Sequence, residues 1–256
     1  ARALCLLDPK TSGDVKFYNA EADQMQNLDE LTHEQIKQFR RNTQMIFQDP
    51  YESLNPRWTI KDIILEPLNI HNIGSLENRS EAVVEILKTV GLTPPENYLP
   101  RYPHELSGGQ RQRVSIARSL IMNPRFVICD EPTSMLDVSI RISIMDLMLD
   151  LAKDLQVSYL YITHDLAVAR YMCNRIAVMF NGKIVEIAKT EDLLSNPIHP
   201  YTKRLISSIP VPDPKYTRTK YEIDFTELDR IIANNNNDLP MVDVGDEHFV
   251  ATHDVK

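Results

Sequence analysis

The sequence has 256 residues, 43% of them hydrophobic and 25% charged, and 36 acidic against 28 basic side chains leave a formal net charge of −8. That composition excludes a chain that is disordered as a whole, and the length can bury a core as one large α/β domain or two small ones without disulfides or metal. The excess of acid argues against binding nucleic acid through bulk charge, so no nucleic-acid partner is expected.

In chain order, residues 1–7 suit the end of a helix, stopped by the turn cluster Asp8-Pro9-Lys10-Thr11-Ser12-Gly13. A short strand is predicted over 15–18. Thr32-His33-Glu34-Gln35 has the form of a capping box and opens a helix carrying Ile36 and Phe39. Residues 43–47 read as a buried strand ended by Gln48-Asp49-Pro50. Pro67, Pro94, Pro95, Pro100 and Pro103 then punctuate short helical segments. In one of them, 79–90, Val83, Ile86, Leu87 and Val90 share a face and Gly91 stands at the expected C-terminal cap. Residues 51–124 thus look like a helical subdomain inserted into a sheet domain.

Phe126-Val127-Ile128-Cys129 is a continuous apolar run of the kind found in parallel strands covered on both faces. A helix over 139–155, a second such strand at Tyr159-Leu160-Tyr161-Ile162 and a helix over 166–172 follow. Residues 176–187 form a hairpin around Asn181-Gly182. The alternation predicts an α/β fold with a mostly parallel sheet. The stretch 213–256 holds 10 acidic and 5 basic residues and the tract Asn234-Asn235-Asn236-Asn237, which suits a weakly ordered acidic extension with one short helix over 223–232.

Cys5, Cys129 and Cys173 are odd in number and widely spaced, which suits inert thiols in a reducing compartment. No apolar run reaches the roughly 18 residues of a membrane span and no leader pattern opens the sequence, so a cytoplasmic location is expected.

Chemistry concentrates in four places. Leu106-Ser107-Gly108-Gly109-Gln110 precedes the helical run Arg111-Gln112-Arg113-Val114, and adjacent glycines at a helix start allow a phosphate to approach free N–H groups. The alternative is a plain glycine turn. Asp130-Glu131 directly follows an apolar strand, and the C-terminal edge of a parallel sheet is its ligand edge. There one carboxylate can hold Mg²⁺ while the other orients or deprotonates water. Thr163-His164-Asp165 follows the second buried strand, and Gln48 ends an earlier one.

Together with Ser134-Met135-Leu136-Asp137, these residues resemble the ATP-binding cassette of ABC transporters in identity and order. The resemblance covers about residues 1–212 and implies a P-loop NTPase-like α/β nucleotide-binding domain. It implies that Leu106, Ser107, Gly108, Gly109 and Gln110 form a signature motif whose Ser107 and Gly109 contact the γ-phosphate of ATP held by an opposite subunit. Asp130 would hold Mg²⁺ and Glu131 would be the general base. His164 would stabilise the γ-phosphate, Gln48 would touch metal and water while reporting to membrane subunits, and Asp137 would cross the dimer interface. His33, His71, His104, His248 and His253 receive no functional role.

Two stretches narrow the resemblance. Gln48-Asp49-Pro50-Tyr51-Glu52-Ser53-Leu54-Asn55-Pro56-Arg57 and Asn196-Pro197-Ile198-His199-Pro200-Tyr201-Thr202-Lys203 are similar to segments of oligopeptide/dipeptide importer ATPases, most like the second, F-type subunit. The resemblance implies ATP and Mg²⁺ as cofactors and a place on the cytoplasmic face of the membrane. The implied partners are a second ATPase subunit, in a homo- or heterodimer, two transmembrane permease subunits and an extracytoplasmic substrate-binding protein. No cysteine follows Cys173, so the iron–sulfur motif of some members is not expected.

The pattern departs from the family in two places. The 256 residues contain no G-x-x-x-x-G-K-[ST], the P-loop that cradles the phosphates. The expectation is a sequence truncated just after that motif and inactive alone. Met135 replaces a small residue, a change the adaptable side chain tolerates. Alternatives are a non-catalytic cassette that only completes a partner's ATP site, an importer ATPase for nickel or an oligosaccharide, and a soluble cassette acting on DNA or ribosomes; the last lacks the heptad run it would need.

Overall fold

A computed structural model describes residues 1–19, 23–208 and 239–251. The chain divides into two compact units, Ala1–Ile162 and Thr163–Lys256.

The first unit begins with a short 3₁₀ turn, Arg2–Cys5, and the strands β1 (Lys16–Asn19) and β2 (Gln24–Asn27), which pair antiparallel. Helix α1 (His33–Asn42) starts at the predicted capping box, with Thr32 Oγ1 accepting from the Gln35 N–H and Gln35 Oε1 from the Thr32 N–H. It leads directly into β3 (Thr43–Ile46). The helical segment holds α2 (Pro50–Ser53), α3 (Ile60–Ile70), α4 (Leu76–Thr89) and α5 (Gly108–Leu120). Gly91 closes α4 with φ +75°, a left-handed conformation that suits glycine.

Strands β4 (Phe126–Asp130) and β5 (Ser158–Ile162) flank α6 (Val138–Asp154) in the chain. They complete a parallel sheet of order β3-β4-β5, in which Ile46 lies opposite Cys129 and Asp130 opposite Ile162. Val127, Ile128 and Cys129 are fully buried, as the apolar run predicts. Helix α5 is the centre of the unit. It packs against α2, α3, α4, α6 and β3 and buries Val114, Ile116, Ala117 and Leu120.

The second unit holds α7 (Leu166–Met172), the hairpin β6 (Arg175–Phe180) and β7 (Lys183–Lys189), α8 (Thr190–Ser195) and α9 (Pro200–Ser207). Asn181 and Gly182 both have positive φ, +46° and +80°, the signature of the tight hairpin turn their identities predict. Beyond α9, β8 (Met241–Asp243) and β9 (Phe249–Ala251) extend this sheet in the antiparallel order β6-β7-β9-β8. That pairing was not anticipated from the acidic composition of the tail. The helix expected over 223–232 lies outside the described residues.

One buried carboxylate organises this unit. Glu186, fully buried in β7, accepts from the N–H groups of Ile198 at 2.9 Å and His199 at 3.1 Å, and faces His248 Nε2 at 2.7 Å. It thereby fastens both the entry to α9 and the turn between β8 and β9 to the central strand.

Candidate functional site

Asp130 and Glu131 stand where the sequence places them, at the C-terminal end of β4. Glu131 adopts φ +45°, a conformation that strains a residue with a side chain by about 1–2 kcal/mol. Three hydrogen bonds hold it there. Its N–H donates to the Ile162 carbonyl at 3.0 Å, and its own carbonyl accepts from Ser134 N–H at 3.1 Å and Ser134 Oγ at 3.0 Å. The strain turns the chain sharply out of the strand. Gln48, just past β3, donates through Nε2 to Glu131 Oε2 at 3.2 Å. Adjacent parallel strands therefore deliver a carboxylate and the amide that orients it to one edge.

Ser107 caps α5. Its Oγ accepts from the Gln110 N–H at 3.3 Å, and Gln110 Oε1 accepts from the Ser107 N–H at 3.0 Å. Because the hydroxyl oxygen is the acceptor, its proton is available to donate to an anion. The N–H groups of Gly108 and Gly109 lie in the first turn, ahead of the intrahelical hydrogen-bond ladder, and add donors of the same kind.

The two glycines differ in what demands them. A Cβ on Gly109 would stand 2.6 Å from Ile140 Cγ2 of α6, whereas one on Gly108 would stand 3.5 Å from Leu136 Cδ2. Packing alone thus requires Gly109, while the ordinary contact at Gly108 does not. The same contacts bring Leu106-Ser107-Gly108-Gly109-Gln110 against Leu136, next to Asp137. Asp137 is the exposed N-cap residue of α6 and makes no side-chain cap bond. Beside it Met135, Val138 and Ile142 are exposed by 65%, 71% and 48%, an apolar stripe at the start of α6.

His164 is exposed and lies two residues past β5, in the second compact unit, next to the Asp165 that caps α7. The structure thus brings Gln48, Asp130 and Glu131 together and sets the signature turn against the Asp137 turn.

No group of three or more His, Cys, Asp or Glu among the described residues is placed to hold a metal. The donors at the edge of β4 fit Mg²⁺ all the same, because this ion is commonly held by one or two carboxylates together with substrate phosphates and water. Cys5 and Cys129 are buried and Cys173 is half-buried; burial pushes the thiols of Cys5 and Cys173 upward, away from the reactive thiolate.

Comparison with known proteins gives the family. Residues 1–134 match the family described as ABC transporter, and residues 185–231 match the oligopeptide/dipeptide transporter C-terminal region. The oligopeptide transport ATP-binding protein OppF of Bacillus subtilis is 47% identical over 220 residues, covering 86% of this chain and 70% of OppF. The AppF protein of the same organism is 46% identical over 82% of this chain, which spans 62% of AppF. The glutathione import ATP-binding protein GsiA of Pectobacterium atrosepticum is 42% identical over 99% of the chain, which spans 40% of GsiA. Among solved structures, the dimeric bacterial ABC transporter cassette MJ0796, also seen bound to ADP and Pi, matches with TM-score 0.61 and 31% identity, covering 74% of this chain and 78% of that one.

The chain belongs to the ABC transporter family and carries the ATPase cassette of its oligopeptide/dipeptide group. Among the described residues no helix is long and apolar enough to cross a membrane.

Two buried charged side chains differ in how far the sequence shows them. Glu186 had a local signal, a lone charge inside the apolar run Ile184-Val185-Glu186-Ile187-Ala188. The burial of Arg111 against Tyr51 had none, since the two are 60 positions apart.

Proposed function

We propose that this chain is the ATP-hydrolysing subunit that powers import of oligopeptides or dipeptides, acting at the cytoplasmic face of the membrane. The supporting observation is the Gln48–Glu131 hydrogen bond at the ligand edge of the parallel sheet. Glu131 is the general base: its carboxylate takes a proton from water as the water oxygen forms a bond to the γ-phosphorus and the bridging P–O bond to ADP breaks, releasing inorganic phosphate. Gln48 fixes the rotamer of that carboxylate. Asp130 would hold Mg²⁺, which would supply neutralisation of phosphate charge. His164 donates a hydrogen bond to the γ-phosphate. Ser107 and Gly109 bind the γ-phosphate of ATP on a second ATPase subunit, and Asp137 with the stripe Met135, Val138 and Ile142 forms the contact with that subunit.

Cargo selection belongs to two membrane-spanning subunits and an extracytoplasmic binding protein. The names of relatives that transport oligopeptides or import glutathione support a peptide cargo.

The test is reconstitution with the partner ATPase, the membrane subunits and the binding protein in vesicles. ATP-dependent uptake of an oligopeptide is expected, and Ser107→Glu abolishes it by setting a carboxylate against the phosphate. Uptake that is indifferent to Ser107→Glu, or absent for any peptide, contradicts the proposal.

A further inference from the structure

Arg111 lies one helical turn after Ser107 and is only 6% exposed. Its N–H donates to the Ser107 carbonyl at 2.9 Å, so its backbone is part of the signature turn. Its side chain reaches away from that turn. The guanidinium carbon stands 3.5 Å from the centre of the Tyr51 ring, one terminal nitrogen donates to the Tyr51 hydroxyl, and the other donates to the Pro103 carbonyl at 3.2 Å. Nε is buried without a hydrogen-bond partner. A planar guanidinium stacked on an aromatic face and shielded from water makes a stronger cation–π contact than an exposed pair.

Tyr51 is the opposite case: the residue is 60% exposed and adds little to the core. Its backbone belongs to the segment that carries Gln48, three residues earlier, and its N–H is fixed by Asp49 Oδ1 at 2.7 Å. Further along α5, Arg118 donates to the Ser53 carbonyl at 3.2 Å and Ser119 to the Met45 carbonyl at 3.3 Å. Helix α5 is therefore tied to the Gln48 segment at three levels, and Arg111–Tyr51 is the tie next to the signature turn.

We infer that Tyr51 and Arg111 are a positioning pair that holds the Gln48 segment and the Ser107 turn in one fixed relation, so that displacing the exposed Tyr51 ring shifts the turn. Neither side chain touches the reacting atoms. The pair acts by setting where the donors of Ser107, Gly108 and Gly109 stand when the base-bearing edge is assembled. The consequence for turnover rests on the proposed ATPase function, whereas the mechanical linkage does not.

Two measurements separate these. Hydrogen–deuterium exchange on the 256-residue chain compares wild type with Tyr51→Leu, which loses ring and hydroxyl, and Tyr51→Phe, which keeps the stack. Exchange across residues 111–114 is expected to rise about tenfold in Tyr51→Leu and far less in Tyr51→Phe. In the complex with the partner ATPase, Tyr51→Leu is expected to lower kcat about tenfold with KM for ATP changed by less than about twofold, and Tyr51→Phe restores most of the rate. Exchange changes confined to residues near Tyr51, or an unchanged kcat in a complex that Glu131→Gln silences, overturn the inference. A complex in which Glu131→Gln turns over normally defeats the ATPase reading instead, and exchange then decides the linkage by itself.

Discussion

Gln48 and Glu131, 83 positions apart in the chain, meet through a hydrogen bond of 3.2 Å from the amide nitrogen of one to the carboxylate of the other. Parallel pairing of β3 with β4 makes this contact, since each residue directly follows the end of its strand or nearly so.

The backbone of Glu131 gives a prediction that needs no nucleotide. Its φ of +45° strains a branched or long side chain more than asparagine, which visits this region readily. Glu131→Asn is expected to stabilise the first unit by about 0.5–1 kcal/mol in urea denaturation while removing the proposed base. A loss of stability would show that the turn is not strained.

Gly109→Ala is expected to destabilise the protein by about 1–3 kcal/mol, because the new methyl group meets Ile140 Cγ2 at 2.6 Å. Ile140→Ala removes that obstacle and should recover most of the loss in the double variant. Gly108→Ala, with 3.5 Å to Leu136, should change stability by less than about 0.5 kcal/mol. Thermal unfolding of the four variants checks all three statements, and additive effects of Gly109→Ala and Ile140→Ala would refute the contact.

Glu186→Ala leaves two backbone N–H groups and the His248 imidazole without their acceptor in a fully buried position. A cost of about 3 kcal/mol is expected, with Glu186→Gln losing less because one amide oxygen still accepts. Exchange should rise in residues 239–251 and 198–202 together. A rise in only one of these segments would show that the carboxylate does not join them.

His199 sets a pH dependence. Its Nδ1 accepts from the Tyr201 N–H at 3.1 Å, and the ring is 2% exposed. Burial holds its pKa below the ordinary value; Glu186 opposes this and Lys203 adds to it. The unfolded chain therefore binds the proton more readily than the folded one. The stability this provides is complete above about pH 6.5 and is lost as pH falls from there through the lower folded value. His199→Asn, whose Oδ1 can accept the same N–H, should flatten that acid loss between pH 7 and 5 in denaturant titrations. An equal loss in both proteins would refute the assignment.

Local signals were the legible part of the fold. The capping box at Thr32, the Asn181-Gly182 turn and the apolar runs of β4 and β5 each specify their element from a few adjacent residues. Strand β2, Gln-Met-Gln-Asn, carries no apolar alternation and exists by pairing with β1. Strand β9 likewise depends on β7, more than 60 positions away, and an acidic surrounding sequence conceals it. At the site, the sequence shows which residues stand at the ends of β3 and β4 and at the start of α5. The positive φ of Glu131, the collision that fixes Gly109 and the burial of Arg111 under Tyr51 are tertiary facts with no local pattern.

The central claim is that Glu131 is the base, and ATP binding and ATP turnover measured on one Glu131→Gln preparation, in complex with the partner ATPase, test it most directly. Glutamine keeps the shape of the side chain but cannot take the proton, so binding should stay within about twofold of wild type while turnover falls by about 100-fold or more. Turnover at the wild-type rate would contradict the assignment and move the base elsewhere at the edge of the parallel sheet.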